Sequence, residues 1–356
     1  MTNLNTQEKS QNNTSGCFKW TLGLFICVIV LFVTFSVVII TITKGLSDDK
    51  NTFSIFTSTS EKYEDDFISG NKNSKNKIIV IKINGVISTA ESSWGSAIAN
   101  STSIVNQLKT AAEDDNVKAI ILQLNTPGGE VTAADDIYHQ IIKLKNETGK
   151  PVISSMGALA ASGGVYIAVA SDYIIANKLT TTGSIGVIVQ TYNYSELLKK
   201  IGVNAETYTS GKMKDLLNGA RPRTEEEKTI IKDIINEVYL DFAKHVAEGR
   251  PKISLNTVLN TNLGDGRIFS GKQAYEKGLV DQLGYFEDAV AKAKKMASIP
   301  DNDYQVISYK KEISFADFFA SLVVSEKKLN VNIGPSSRLN TQIPQSGKFY
   351  LLPTIW

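Results

Sequence analysis

The sequence predicts an α/β protein carried behind an apolar N-terminal segment. Three observations lead there. Strand-length β-branched runs alternate with stretches of helical periodicity from Lys77 onward. Glycine-rich junctions stand where strands pass into helices, at Pro127-Gly128-Gly129 and at Ala161-Ser162-Gly163-Gly164. Trp20 to Thr43 carries no charged residue and is bracketed by Lys19 and Lys44.

The bulk numbers narrow the chemistry. A chain of 356 residues suits two domains or one large one, with apolar content ample for a core. Lys and Arg number 38 against 36 Asp and Glu, so the net charge of +2 implies no nucleic acid or other polyanion as partner. Cys17 and Cys27, the only cysteines, lie at or inside the apolar segment. That removes disulfides, thiolate metal sites and cysteine catalysis from the folded part. His139 and His245 are the only histidines. A His-rich metal site is therefore excluded, and a Ser-His-Asp triad would have to use one of these two. No cofactor is expected.

Residues 1 to 19 form a polar tail rich in Asn, Thr, Gln and Ser, expected to be disordered. Residues 20 to 43 are long enough to cross a bilayer core of roughly 30 Å. The run is too long for a signal-peptide core and no A-x-A site follows it, so it reads as a retained single-span membrane anchor. Lys9 and Lys19 on one side balance Lys44 and Lys50 on the other, so charge does not set the orientation. Residues 44 to 76 read as a polar spacer, and the folded domain as residues 77 to 299.

Within that domain, Ile78 to Ile83 and Val117 to Leu124 are buried strands. Ile104, Val105, Leu108, Ala111 and Ala112 lie at helical spacing between them, and Asp114-Asp115-Asn116 stops that helix. A helix carrying Ala134, Ile137, Tyr138, Ile141 and Ile142 on one face follows the Gly-Gly turn and ends near Gly149. Pro151 to Ser155 is a strand leading into the Ser162 region, and Asp172 to Ala176 is another. Gly183-Ser184-Ile185-Gly186 turns into a further strand, Tyr194 to Ile201 is helical, and Glu206 to Thr209 returns as a strand. Thr224-Glu225-Glu226-Glu227 is a capping box that starts a long helix. Ser270 to Lys277 and Asp288 to Met296 are the last helices; residues 300 to 356 are weakly patterned and have no assigned role.

The chemistry centres on Gly157 to Gly186. A serine at the mouth of a short buried helix, with a backbone N–H just after it, is placed for nucleophilic acyl chemistry. The plainer alternative is that Ser162 is only the N-cap of a tightly packed helix. The Gly128-Gly129 turn also opens a helix, so its N–H groups suit an oxyanion hole or, equally, a phosphate cradle. A serine hydroxyl needs a base. His139 and His245 both fall beside apolar helical faces, which favours packing roles. Lys212 and Lys214, in Ser210-Gly-Lys-Met-Lys-Asp215, remain as candidates beside the solvated-loop reading; a lysine base must be neutral, which requires burial.

The ordered set NTPGGEV, ALAASGGVYIA, TTTGSIGVI, SGKMKDL, RPRTEEEK and GRIFSGKQAYEKGLVD resembles the SppA-type signal peptide peptidases. These are serine–lysine peptidases of ClpP/crotonase-like fold, and the likeness is to their short, single-unit form. It spans about Lys77 to Lys294. The resemblance implies an α/β fold with a repeated ββα core. It makes Ser162 the nucleophile, Lys214 the general base, and Ser184 the hydroxyl that orients the lysine amine. Gly129 and Gly163 would supply the oxyanion N–H groups. It implies peptide substrates such as cleaved signal peptides, a ring-like homo-oligomer, and a domain on the extracytoplasmic side of the cell membrane, with the tail of residues 1 to 19 cytoplasmic. The stretch Leu217 to Arg223 and the segment from Asp301 follow no family pattern. Two rival readings keep the same turns: a crotonase-type acyl-CoA enzyme, and a non-catalytic membrane scaffold that binds peptides.

Overall fold

A computed structural model describes residues 63–90, 97–311 and 350–351, together with Val30, Val33 and Thr34. The chain divides into two units, residues 1–62 and 63–356. Of the first, only the three isolated residues are described, all helical. The expected polar tail and the remainder of the Trp20 to Thr43 span lie outside the described residues. Among the described residues, no helix is long and apolar enough to cross a membrane.

The second unit is mixed α/β with a mostly parallel sheet. Its elements begin with strands β1 (Tyr63–Gly70), β2 (Lys77–Asn84), β3 (Val86–Ser88) and β4 (Ile98–Asn100), then helix α1 (Ser101–Glu113). β5 (Val117–Thr126), β6 (Gly129–Glu130) and α2 (Val131–Thr148) follow, then β7 (Val152–Ala161) and α3 (Gly163–Ala168). β8 (Tyr173–Ala176), β9 (Thr181–Gly183), α4 (Ser195–Lys200) and the long α5 (Glu225–Gly249) come next. The series continues with α6 (Leu255–Asn260), β10 (Ile268–Ser270), α7 (Gly271–Glu276), β11 (Gln282–Leu283), α8 (Phe286–Met296), β12 (Gln305–Lys311) and β13 (Tyr350–Leu351).

The large sheet runs β1-β12-β2-β5-β7-β8-β11, with β9 paired to β7 and β10 to β9. β2, β5, β7 and β8 are parallel to their neighbours in this path. A small second sheet has the order β13-β6-β3-β4. The strand runs KIIVIKIN and VKAIILQL are almost continuously apolar because both sheet faces are covered. On one face Ile79, Ile81, Ile120 and Leu122 pack with Leu108, Ile137, Ile141 and Phe242 from the helices. On the other, Ile78, Val80, Ile121 and Ile153 pack with Ala289, Val290 and Ala293 of α8.

Local chemistry sets the element ends. Asn100 caps α1, accepting from the Ser103 N–H at 2.8 Å. Gly149 closes α2 in the left-handed conformation, φ 66°. The expected capping box at Thr224 is present: Thr224 Oγ1 accepts from the Glu227 N–H at 3.2 Å, and Glu227 Oε2 accepts from the Thr224 N–H at 2.8 Å.

Several expectations need correction. The stretch read as spacer contributes β1, which pairs antiparallel with β12. β12 itself falls in the segment left unassigned. β1 has solvent on nearly all of its side chains, so it shows no apolar alternation to read. Glu206 to Thr209 is not a strand; it finds no pairing partner, and Tyr208 is 90% exposed. The strand expected after Gly186 reduces to one bridge at Ile188. The strand from Val152 runs on to Ala161, directly up to the serine.

Phe242 joins α5 to this core: its side chain is fully buried and its ring lies 5.1 Å from that of Tyr166. Phe242→Ala is expected to lower unfolding free energy by about 3–5 kcal/mol. Urea unfolding of both proteins measures this, and a loss under about 1 kcal/mol would contradict the packing described.

Candidate active site

Ser162 joins β7 to α3 at φ 52° and ψ −111°. A residue with a side chain occupies that region only at a cost on the order of 1–3 kcal/mol. The turn is held from both sides. The Ser162 N–H donates to Gly183 O at 2.8 Å, and Ser162 O accepts from the Tyr166 N–H at 2.9 Å. The residue is fully buried, and its Oγ has no hydrogen-bond partner among the described residues. A capping serine would spend that hydroxyl on a helix N–H. This one makes no such bond, so capping does not account for it. The Gly163 N–H opens the helix, where no intrahelical acceptor is available.

The Gly128-Gly129 turn reaches the same place. Gly128 sits at φ 103°, and its N–H donates to Thr126 Oγ1 at 3.0 Å. Gly128 O accepts from the Ile87 N–H at 2.9 Å, which ties the turn to β3. A side chain on Gly163 would put its Cβ 3.1 Å from Gly128 Cα and 3.2 Å from Gly129 N. A Cβ on Gly129 would lie 1.9 Å from Ile87 O. Gly129 is thus demanded by backbone packed on backbone, and at Gly163 a side chain fits only if the turn gives way by a few tenths of an ångström. The two sequence-predicted junctions converge on Ser162.

β6 also bears on the site. It holds the second glycine of the turn, and β13 lies antiparallel along it, Leu351 opposite Gly129 and Tyr350 opposite Glu130. The strand beside the serine therefore accepts an extended chain as its neighbour.

Ser184 follows Gly183, the acceptor of the Ser162 N–H. It too has positive φ, 52°, and is buried. Its N–H donates to Arg267 O at 2.8 Å. The preceding threonines bind β9 to β7: Thr182 Oγ1 donates to Ala160 O and Thr180 Oγ1 to Gly157 O, each at 2.7 Å. A groove of about 340 Å³ beside Ser184 is lined by Val187, Ile188, Ile235, Tyr239 and Gly264.

Lys214 stands apart in this single chain. It is exposed on a run of turns, and its ammonium has no partner among the described residues. It is therefore not hydrogen-bonded to Ser162. Lys212 is committed elsewhere, to Glu226 Oε2 at 2.8 Å and Oε1 at 3.0 Å. The structure places Ser162, Gly163, Gly129 and Ser184 together and leaves Lys214 outside that group. Neither histidine is bonded to the serine. His139 is exposed, and the His245 ring lies against Tyr138 and Tyr166 at centroid distances of 4.1 and 5.1 Å.

One feature escaped the sequence reading. Arg221, inside the stretch without family pattern, forks onto Asp215 at 2.6 and 2.7 Å and onto Glu227 at 2.5 and 3.0 Å. Its hydrogen bonds hold both carboxyls down to about 2, with the Thr224 N–H helping at Glu227. The capping box was the available signal, since a buried capping glutamate calls for a cation nearby.

Comparison with known proteins supplies the family. Residues 144–300 match the family model described as Peptidase family S49. A protein of Enterococcus faecium named "Putative signal peptide peptidase SppA" is 40% identical over 260 residues, covering 72% of this chain and 73% of that protein. "Serine protease SPPA, chloroplastic" of Arabidopsis thaliana is 37% identical over 64% of this chain, but only 33% of its own longer length is matched. "Protease 4" of Haemophilus influenzae is 36% identical, over 64% of this chain and 36% of that protein. A buried serine with an uncommitted hydroxyl, set where two glycine turns meet, thus lies in a chain whose relatives are named as proteases, and this chain belongs to peptidase family S49 as a serine endopeptidase of the SppA type.

Proposed function

We propose that this endopeptidase works through a Ser162–Lys214 dyad on a ClpP/crotonase-like fold, anchored in the cell membrane by residues 20–43. The observation that carries the reading is the Ser162 hydroxyl, buried and unpartnered on a strained turn. Leaving such a group unsatisfied costs roughly 1–3 kcal/mol, which a role in the reaction would explain. A long strand, short pairing in the second sheet and a helix recur, at β2-β3-β4-α1 and β5-β6-α2, which supports the repeated ββα fold with one extra short strand in the first unit.

The substrate lies as an extended strand along β6, where β13 lies in this structure. Ser162 Oγ attacks the scissile carbonyl carbon while its proton passes to the neutral Lys214 amine. The N–H groups of Gly129 and Gly163 stabilise the oxyanion, and the Ser184 hydroxyl orients the amine. The ammonium returns its proton to the departing amine, and water then hydrolyses the acyl-enzyme. Signal peptides released into the membrane fit a peptidase tethered beside it, on its extracytoplasmic side.

The exposed position of Lys214 adds a requirement. Tyr192, Leu197, Ile201 and Tyr208 are also exposed on the segment before it, at 59%, 59%, 63% and 90%. Such a patch supports association between copies. Assembly into a homo-oligomer would bury this segment and bring Lys214 of one chain to Ser162 of another.

Three outcomes test the proposal. Ser162→Ala, Lys214→Ala and Lys214→Arg should each lose at least about a thousandfold in peptide hydrolysis, since a guanidinium does not deprotonate. Lys212→Ala, His139→Ala and His245→Ala should keep the chemical step, and a fluorophosphonate should label Ser162. Steady-state kinetics with mass-mapped labelling decides this; a folded histidine variant as dead as Ser162→Ala would sink the dyad. Gly129→Ala and Gly163→Ala, checked as folded by circular dichroism, should lower kcat by about a hundredfold or more. Mixing the full-length Ser162→Ala and Lys214→Ala chains should restore part of the wild-type rate, because some pairs then hold both groups. Mixtures that stay inactive after verified subunit exchange would show that one chain must supply both.

A further inference from the structure

We propose that Arg221 is a positioning residue for the Lys214 segment: its guanidinium binds both oxygens of Asp215 and so withholds that carboxylate from the neighbouring lysine ammonium. This rests on the reading of Lys214 as the base.

The geometry is that of a clamp. Nε and Nη2 of Arg221 reach Asp215 at 2.7 and 2.6 Å, one nitrogen to each oxygen. Nη2 and Nη1 reach Glu227 at 2.5 and 3.0 Å. Glu227 is almost wholly buried, so this second anchor is fixed by the first turn of α5. The loop from Asp215 to Arg221 is closed further by the Asn218 N–H, which donates to Asp215 O at 2.9 Å. A planar fork can hold two carboxylates in fixed directions; an ammonium cannot.

The electrostatic consequence follows from the residue order. Asp215 is bonded to Lys214 in sequence, so its carboxylate is the nearest to the lysine along the chain. A carboxylate within about 4–6 Å favours the ammonium form, which is useless as a base. The other charged groups of the region have partners of their own. Glu226 of α5 takes Lys212, and Glu225 takes Lys228. Glu206, before the lysine segment, accepts from the Tyr208 hydroxyl, and Arg223 donates to Thr191. Arg221 is thus the cation that accounts for Asp215 and Glu227 together. A carboxyl is ionised near neutral pH even at its ordinary value, so without Arg221 a free negative charge stands beside Lys214 in the chain.

The test is the pH dependence of kcat/KM for the full chain, in wild type, Arg221→Gln, Asp215→Asn and the double variant. In Arg221→Gln the acid limb should move up by about one pH unit, a tenfold loss near neutral pH that recovers in alkaline solution. The double variant should bring the limb back, because the carboxylate next to Lys214 in the chain is then gone. A purely structural clamp gives a different pattern: a loss equal at every pH, unrelieved in the double variant. That pattern, or an unmoved limb, overturns the proposal. Should Arg221→Gln fail to fold, Arg221→Lys carries the test with a smaller upward shift of the limb, an expected loss of about threefold in rate at neutral pH, and an unmoved limb is again fatal. Lys214→Ala run in parallel separates the two ideas: an active Lys214→Ala refutes the base reading itself, whereas an essential Lys214 with an unmoved Arg221→Gln limb refutes only this inference.

Discussion

Everything at the site depends on one close approach, backbone against backbone, between Gly163 and the Gly128-Gly129 turn. The two turns come from different strands, β5 and β7, which are neighbours in the sheet. Their separation is set by the strand spacing, about 4.8 Å, so there is no room for a side chain between them. A Cβ at Gly163 would press on the Gly128-Gly129 turn, and one at Gly129 would collide with the backbone of Ile87 in β3. The glycines are there to let two peptide planes face one point, and the fold around them exists to keep those planes still.

Stillness is what the surrounding layers provide. Helices cover both faces of the parallel sheet, so β5 and β7 are clamped along their length. The strained turn at Ser162 persists because its N–H and C=O are both bonded, to Gly183 and to Tyr166. Threonines 180 and 182 bind β9 to the same strand and carry Ser184 to the serine's side. A preorganised site of this kind needs no rearrangement as charge develops. The lysine segment follows a different logic. It stands on turns outside the sheet and is fixed by the ionic clamp instead of by apolar packing.

The sequence was legible where burial is one-sided or total. Ile78 to Ile83 and Val117 to Leu124 read as strands because helices cover them above and below. Thr224 and Glu227 announced the start of α5 by cap chemistry alone, and the two glycine turns announced themselves at strand ends. What could not be read was whatever water touches. β1 is exposed along nearly all its length and so carries no inside-outside alternation, and Glu206 to Thr209 has strand-like residues but no strand to pair with. Arg221 was illegible for another reason. Its partners Asp215 and Glu227 lie six residues to either side, and only a folded loop brings all three together. The glycine and serine motifs lie at strand ends that the sheet brings side by side, so Ser162, Gly163 and the Gly128-Gly129 turn meet in the fold. The family motifs put Lys214 in the list, while a single chain leaves it without a partner.

The pairing of β1 with β12 sets a timetable for the nascent chain. β2, β5, β7 and β8 are contiguous in the sheet and leave the ribosome early, so a central sheet can form while synthesis continues. β1 is made before all of them, yet its partner spans Gln305–Lys311. For more than two hundred residues of elongation its backbone donors and acceptors have only water. An apolar strand held open that long would invite pairing with other chains, whereas Glu64, Asp65 and Asp66 keep this one soluble until its neighbour arrives. The acidic character of β1 thus serves a waiting period during translation, and its edge of the sheet is completed only after the central strands have emerged.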